Sequence, residues 1–294
     1  MLFLVRFGEI HLKSKYVRKQ FQDKLVANIQ DHFAARSVEC LTSSDRGRVY
    51  VETDDEAAGR SILCRVFGVV SFSAVVECRA DMEAISKTLV DYSRGLVKEG
   101  ASFAIRSRRA GSHPFTSHDV AVAAGKAMQE AYGTLRVDLA KPDIELFIEV
   151  RNNRAFIFHD VVDGPGGLPL GSQGRMLALV DSERGMVAAW MMMKRGSKVT
   201  VVALDGSEWV EPLREWDLHL KVQRIARMDE LREISKLNRA EVLAVGWTLA
   251  ELEARKGEVP EGLTVFHPTV GLTDDGLTEM AGRIKRGREK AIAF

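Results

Sequence analysis

The hydrophobic positions of residues 1–79 alternate between strand and helix spacing. Leu2 to Phe7 is a short apolar strand, and a helix follows in which every fourth residue is apolar, at Val17, Phe21, Leu25, Ile29 and Phe33. Two strands, a second helix and a β-rich stretch come next, at 37–41, 48–52, 54–66 and 69–78. This β-α-β-β-α-β order predicts a ferredoxin-like first domain over residues 1–79.

The pattern of residues 80–167 mixes helices with strands. Apolar residues line one face of each of two helices, at Met82, Ile85, Leu89 and Tyr92 in one and at Val120, Ala123, Ala127 and Ala131 in the other. Strands are predicted at 102–106, 143–150 and 154–159. We therefore expect a compact α+β second domain.

A glycine- and proline-rich stretch, GPGGLPLGSQG at 164–174, is typical of a junction between domains. Strand and helix patterns then alternate, as a strand at 177–180, helix at 183–195, strand at 198–204, helix around 217–236, strands at 240–245 and 263–266, and a final helix at 275–292. Alternation at this spacing predicts a parallel sheet covered by helices, a Rossmann-like α/β third domain over residues 174–294.

Composition narrows the class of protein. With 46% hydrophobic and 28% charged residues the chain has the balance of a globular protein. No apolar run approaches the roughly 18 to 20 residues that a bilayer span needs, so we expect a cytoplasmic protein. The net charge is only +1, so that nucleic-acid binding would depend on local clusters. The cysteines, Cys40, Cys64 and Cys78, lack metal-ligand spacing, and we expect no metal centre.

One basic cluster lies in the second domain. Arg106 and Arg108 alternate along a strand, Arg109 follows, and together they can form a fork for phosphates. The next helix begins near Thr116 and Ser117, whose hydroxyls and free N–H groups can hold an anion, and Phe115 can stack on an unpaired base. The alternatives are that the arginines protect a sheet edge and that Phe115 belongs to the core.

A second basic cluster lies on the opening helix. Lys15, Arg18 and Lys19 are its candidate RNA contacts, in a segment that also holds Arg6, Lys13 and Lys24. A solvated helix face explains the same residues equally well.

Five stretches in chain order resemble the tRNA 4-thiouridine synthetase, or tRNA sulfurtransferase, family. They are VRFGEIHLKSKYVRKQF at 5–21, FAIRSRRAGSHPFTSHDVAVAAG at 103–125, DGPGGLPLGSQGRMLAL at 163–179, VAAWMMMKRG at 187–196 and VFHPTVGLTDDGL at 265–277. The second stretch is similar to the RNA-binding THUMP module, and the fourth to the helix that follows the family's PP-loop. The resemblance implies a ferredoxin-like domain, a THUMP domain and a third domain derived from a PP-loop enzyme.

Family members bind tRNA and adenylate a uridine with ATP, and sulfur then displaces AMP. The resemblance implies tRNA as partner, with the acceptor-stem region as the contact, and it makes a homodimer plausible. The family's SGGxDS signature, however, falls opposite Val180, Asp181, Ser182, Glu183, Arg184 and Gly185. The family's next nucleotide-facing loop is likewise replaced, by GWTLAEL at 246–252.

These replacements predict that the phosphate loop is degenerate. Glycines let backbone N–H groups approach a pyrophosphate, whereas Asp181 and Glu183 place carboxylates there. At about 4 Å each like-charge contact costs about 1 kcal/mol in water and about 4 kcal/mol near a protein surface. We expect no catalytic residues and no cofactor, and a tRNA-binding or accessory role with a sulfur donor or catalytic partner protein. The alternative is an active sulfurtransferase that binds ATP and Mg²⁺ through Asp181 and Glu183 and uses an external sulfur donor.

Overall fold

The structure is a computed structural model that describes residues 1–8, 14–45, 47–204, 208–255 and 257–286. Within these ranges the strands form one sheet of nine strands and a separate sheet of five. None of the helices in the described ranges combines the length and the apolar character that a membrane span requires.

The first domain has the predicted order of elements. They are β1 (Leu2–Phe7), α1 (Lys15–Ala34), β2 (Leu41–Asp45), β3 (Arg48–Glu52), α2 (Glu56–Leu63) and β4 (Val69–Arg79). The ferredoxin-like prediction is thus confirmed. The strand predicted at 37–41 is wrong, because residues after Ala35 still close the helix: Ser37 has a φ of +54° and the Val38 N–H donates to the Phe33 carbonyl.

The second domain adds two helices and five strands. They are α3 (Met82–Ser93), β5 (Ser102–Ala110), α4 (Ser117–Tyr132), β6 (Arg136–Val137), β7 (Ile144–Arg151), β8 (Arg154–Phe158) and β9 (Val162–Asp163). Both helices pack on the sheet in one hydrophobic core that includes Leu89, Val120 and Ile148.

One long strand joins the first two domains. The eleven-residue β4 pairs with β1 through its first half and with β8 through its last four residues, so the sheet order is β2-β3-β1-β4-β8-β7-β5-β6, with β9 pairing to β4. A continuous hydrogen-bonded ladder therefore holds the two domains in a fixed arrangement, which matters for any ligand that touches both.

The third domain is the predicted α/β layer structure. Its elements are β10 (Arg175–Leu179), α5 (Glu183–Lys194), β11 (Lys198–Leu204), α6 (Glu211–Arg214), β12 (Lys221–Ile225), α7 (Leu231–Asn238), β13 (Val242–Ala244), α8 (Leu249–Arg255), β14 (Thr264–Phe266) and α9 (Asp274–Arg286). Single 3-10 turns lie at Glu208–Val210 and Met228–Glu230. The five strands pair in parallel in the order β12-β11-β10-β13-β14, and alternate residues of β10 enter two different hydrophobic cores, so both faces of the sheet are covered.

The helix predicted around 217–236 is wrong in its first part, while α7 begins inside its last part, at Leu231. Residues 221–225 form β12, which pairs with β11 at the edge of the sheet. Val222 and Ile225 are its apolar residues, and their spacing of three is one that a helix also produces. Lys221 and Arg224 are exposed, one on each face of the strand, and they interrupt the apolar run that would have indicated a buried parallel strand.

The junction at 164–174 is bonded to the domains on both sides. The Gly166 N–H donates to the Val69 carbonyl, and the Leu168 N–H donates to the Lys194 carbonyl at 2.9 Å. Gly167, with a φ of +76°, allows this approach, since a Cβ there would lie 2.1 Å from the Lys194 oxygen. The third domain is therefore fixed against the first by backbone contacts.

Candidate RNA-binding cleft and phosphate loop

A cleft of about 750 Å³ lies where the first domain meets the second. Three arginines line it, Arg6 from β1 and Arg106 and Arg108 from β5. Its apolar part includes Phe147 and Phe158, whose rings stack with centroids 5.2 Å apart and an interplanar angle of 6°. The cleft thus combines three arginines and two carboxylates, those of Glu145 and Glu149, with an aromatic wall.

The three predicted arginines of β5 differ in their surroundings. Arg106 donates from Nε to Glu145 Oε1 and from Nη2 to the Leu139 carbonyl, both at 2.8 Å. Arg108 is exposed and has no hydrogen bond or ion pair within the described part of the chain. Arg109 does not line the cleft, and its Nη1 donates to the Gly111 carbonyl at 3.2 Å. The fork that faces the cleft is therefore Arg106 with Arg108.

The beginning of α4 forms one rim of the cleft. Thr116 caps the helix in a capping box: its hydroxyl accepts from the Asp119 N–H at 3.2 Å, and the Asp119 carboxylate accepts from the Thr116 N–H at 2.8 Å. The hydrogen bond from that backbone N–H, followed by the one from the Thr116 hydroxyl, holds the pKa of Asp119 below its ordinary value. Ser117 lines the cleft, and its carbonyl accepts a hydrogen bond from the Ser107 hydroxyl.

Phe115 is half-buried and packs against the core of the second domain. Its ring also lies against His113, with centroids 5.2 Å apart. These contacts support a packing role, while stacking of Phe115 on a base stays a prediction.

Arg18 and Lys19 of α1 do not line this cleft. Lys19 forms an i,i+4 ion pair with Asp23 at 2.6 Å, and Arg18 is half-buried. The Lys15 side chain and Lys13 lie outside the described residues. Arg6, which the sequence did not single out as a contact, is the basic residue of this segment that lines the cleft. Its signal is a lone charge in an otherwise apolar strand, LFLVRF.

The phosphate loop follows β10 at the carboxyl edge of the parallel sheet, where α/β proteins bind their ligands. Val180 is buried, and its N–H donates to the Val202 carbonyl at 2.9 Å. Asp181 accepts from Arg255 Nη1 at 3.1 Å and from Trp247 Nε1 at 3.4 Å, and the Arg255 guanidinium lies 4.3 Å from the Trp247 ring centroid. The carboxylate that would face a nucleotide is thus neutralised from within.

The next three side chains of the loop are also bound internally. Ser182 is the N-cap of α5, and its Oγ accepts from the Gly185 N–H at 3.1 Å. Glu183 pairs with Lys285 Nζ at 2.7 Å. Arg184 donates to the Thr269 carbonyl at 3.1 Å and to Asp274 at 3.3 Å. Side chains therefore occupy the terminus where a phosphate would accept hydrogen bonds.

The segment after β13 covers the same helix terminus. Gly246 approaches the first turn of α5 so closely that a Cβ on it would lie 2.2 Å from the Gly185 nitrogen. Because backbone meets backbone here, a triphosphate cannot lie between the two segments in this arrangement.

Known proteins match this chain in both sequence and fold. The family model of the ThiI ferredoxin-like domain matches residues 2–73, and that of the THUMP domain matches residues 79–160. A "Probable tRNA sulfurtransferase" of Methanobrevibacter smithii is 38% identical over 239 residues, and one of Methanosarcina acetivorans is 40% identical over 214 residues. The chain belongs to the tRNA sulfurtransferase family.

Those alignments cover 79% and 71% of this chain but only 60% and 52% of the two sulfurtransferases. The chain thus spans between about half and three fifths of the length of these relatives.

Two solved structures share the fold of this sulfurtransferase relative. PH1313 from Pyrococcus horikoshii Ot3 aligns with a TM-score of 0.82 and 25% identity, over 96% of this chain and 99% of that one. A 4-thiouridine synthetase in complex with RNA and bound ATP aligns with a TM-score of 0.76 and 22% identity, over 96% of this chain and 84% of that one. The ferredoxin-like, THUMP and Rossmann-like architecture predicted from the sequence is confirmed.

Proposed function

We propose that this chain is a tRNA-binding protein that acts in tRNA thiolation as a binding or accessory protein, with ATP-dependent adenylation lost or impaired. The observation that carries the proposal is a contrast between two sites. In the cleft, Arg108 is exposed without a hydrogen-bonding partner in the described chain, whereas Asp181, Ser182, Glu183 and Arg184 of the loop are all bound internally.

The cleft supports RNA binding because its parts match those of a nucleotide. The exposed Arg108 presents planar donors suited to phosphate oxygens, and Arg106 adds its charge beside it, although its Nε and Nη2 already donate to Glu145 and the Leu139 carbonyl. The half-buried Phe147 offers apolar surface for an unstacked base, which is how proteins commonly read single-stranded RNA, while Phe158 is 4% exposed and stacks on Phe147 within the core. The family relationship directs the proposal to tRNA and its acceptor-stem region.

The loop supports loss of the ATP-dependent step for a different reason. A triphosphate would have to displace the Ser182 cap, separate Gly246 from Gly185 and approach two carboxylates. The first two of these changes remove interactions that the folded chain already has, and the two carboxylates already hold the nearby cations Arg255 and Lys285, which are therefore not free to bind a phosphate.

Replacing Arg106, Arg108 and Arg109 together with Gln is expected to weaken tRNA binding at least tenfold. Each lost phosphate contact also lowers the slope of log K against log salt, by roughly 0.7 to 0.9 per contact. Fluorescence anisotropy with whole tRNA and with acceptor-stem fragments, at several salt concentrations, measures both quantities. The matched control replaces Arg214, Arg224 and Arg232 of the third domain with Gln, which removes the same charge at exposed positions away from the cleft. Unchanged tRNA affinity in the first variant would contradict the proposal.

The alternative function is an active tRNA sulfurtransferase in which Asp181 and Glu183 hold Mg²⁺ and ATP. Their ion pairs with Arg255 and Lys285 argue against it, since a metal would have to replace both cations. We expect labelled ATP with Mg²⁺ not to bind at micromolar concentration, with or without tRNA. Micromolar binding that Asp181→Ala abolishes would favour the alternative.

The source of sulfur is proposed to be another protein. The three cysteines all precede residue 79, and burial raises the pKa of the Cys40 and Cys78 thiols, which disfavours the nucleophilic thiolate.

We also propose that the protein is cytoplasmic and acts as a homodimer, in which one chain presents tRNA to its partner. Sedimentation that finds a single chain bound to tRNA would contradict the dimer.

A further inference from the structure

A buried cluster of charged side chains lies where the first and second domains meet. Glu149 on β7, 5% exposed, has its carboxylate 2.8 Å from Arg48 Nε, 3.3 Å from Arg151 Nη1 and 3.9 Å from Arg6 Nε. Asp45 accepts from Arg151 Nη2 at 3.1 Å and from its Nε at 3.3 Å. Three guanidinium groups thus face two carboxylates, which leaves one positive charge in excess.

The geometry places that excess charge on Arg6. Its distance to Glu149 is the longest of the three, and its Nη1 donates to a neutral partner, Ser73 Oγ, at 3.0 Å. The guanidinium lies 4.8 Å from the Phe158 ring centroid, inside the cleft that Arg106 and Arg108 also line.

The electrostatic surroundings of Arg6 agree with this placement. Burial lowers the pKa of Arg6 to about 10, and repulsion from Arg48 and Arg108 adds to the effect, while Glu149 opposes it. An anion in the cleft would therefore relieve a charge that the protein itself neutralises only in part.

We infer that Arg6 contacts an RNA phosphate in the cleft and that Glu149 is the positioning residue that holds it there. The inference rests on the proposed RNA binding and adds a first-domain contact to it. Since Glu149 lies on β7 and Arg6 on β1, the third arginine of the cleft is in place only while the two domains are joined.

The direction in which Glu149→Gln changes the tRNA affinity distinguishes a positioning role of Glu149 from an effect of net charge alone. Removal of a carboxylate near a polyanion should strengthen binding if only the net charge matters. If Glu149 instead orients Arg6, Glu149→Gln should weaken binding, because the guanidinium loses its anchor on the cleft side of β1.

The first measurement compares Arg6→Gln with Arg94→Gln by tRNA titration over a range of salt. Arg6→Gln is expected to weaken binding about tenfold, the size of one hydrogen-bonded charge contact, and to lower the salt slope by roughly 0.7 to 0.9. The Arg94 side chain at the C-cap of α3 is 75% exposed and does not line the cleft, so Arg94→Gln removes the same charge as a matched control and should stay within about twofold of the wild type.

The second measurement is a double-mutant cycle. Glu149→Gln should weaken binding severalfold in the wild-type background and have no further effect in the Arg6→Gln background, whereas damage to the fold would lower affinity in both. Thermal unfolding monitors the fold. If Glu149→Gln does not fold, Glu149→Asp keeps the charge while withdrawing the carboxylate by one methylene, and the same cycle applies.

The outcomes distinguish the inference from the proposed function. If the triple Arg106, Arg108 and Arg109 variant loses affinity but Arg6→Gln does not, the role of Arg6 is overturned and RNA binding in the cleft stands. If none of these variants loses affinity, the proposed function fails. Tighter or unchanged binding by Glu149→Gln overturns the positioning role of Glu149.

Discussion

Replacing Phe67 with Ala is expected to destabilise the protein by about 3 to 5 kcal/mol, the usual range for a buried Phe. Phe67 lies in the sequence of the first domain but is 1% exposed within the hydrophobic core of the third. Its ring stacks on Trp216, with centroids 5.2 Å apart, and meets Trp190 edge to face at 5.5 Å. Truncation would leave a cavity between two tryptophans that the surrounding backbone cannot easily close.

Denaturant unfolding followed by tryptophan fluorescence measures this effect, because Trp190 and Trp216 report on the same core. Phe266→Ala is the control, since that side chain is 44% exposed on the edge strand β14 and should cost about 1 kcal/mol or less. Because Phe67 joins the domains, we also expect the variant to unfold in two steps, the third domain separating first. A loss below about 1 kcal/mol would show that the backbone contacts of residues 164–174 alone hold the domains together.

The elements with strong periodicity could be predicted from the sequence. The apolar residues at every fourth position from Val17 to Phe33 lie on α1, where four of the five are buried in the core of the first domain and Val17 packs against it. The alternation after residue 174 predicted the parallel sheet because continuous apolar strands indicate burial on both faces. Both signals are local, so one sequence is enough to find them.

The errors came from elements whose form depends on distant contacts. Strand β12 holds its place through pairing with β11, and Phe67 is indistinguishable in sequence from a core residue of its own domain. Domain packing of this kind has no periodicity that a sequence could display.

In the candidate sites, too, local sequence features could be predicted and contacts between distant residues could not. The composition of the loop, with Asp181 and Glu183 in place of glycines, predicted a degenerate phosphate loop. The cations that pair with these two carboxylates are Arg255 and Lys285, 74 and 102 residues further along the chain, and nothing in the sequence links them to the loop. Arg6 was overlooked for the same reason, since only the fold brings β1 to the cleft.

The contact between the first and third domains also contains a buried titratable group. His32 on α1 is 5% exposed, and the backbone of Trp216 in the third domain is among the groups that act on its pKa. Arg36 Nη1 lies 3.3 Å from Nδ1 and donates to it, so the ring is neutral at that nitrogen. Burial, followed by repulsion from Arg36 and Arg65, lowers the pKa of His32 to about 4.

This pKa makes the domain contact sensitive to acid. Above about pH 6.5 the ring is neutral in both the folded and the unfolded chain, and the protein has its full stability. As the pH falls from 6.5 to about 4, the unfolded chain takes up a proton that the folded chain excludes, and stability is lost. The difference between the two pKa values corresponds to about 3 kcal/mol, reached near pH 4.

Urea unfolding of the wild type and of His32→Gln at pH 7 and pH 4 tests this expectation. Gln can accept from Arg36 but does not titrate, so it keeps this hydrogen bond and removes the proton. Carboxylates titrate in the same pH range in both proteins. The loss of unfolding free energy between pH 7 and pH 4 in His32→Gln is therefore subtracted from the loss in the wild type, and the difference is the part due to His32. The wild type should lose about 3 kcal/mol more than the variant. Equal losses would mean that the ring accepts a proton while the first and third domains stay packed, which the burial of His32 beside two guanidinium groups argues against.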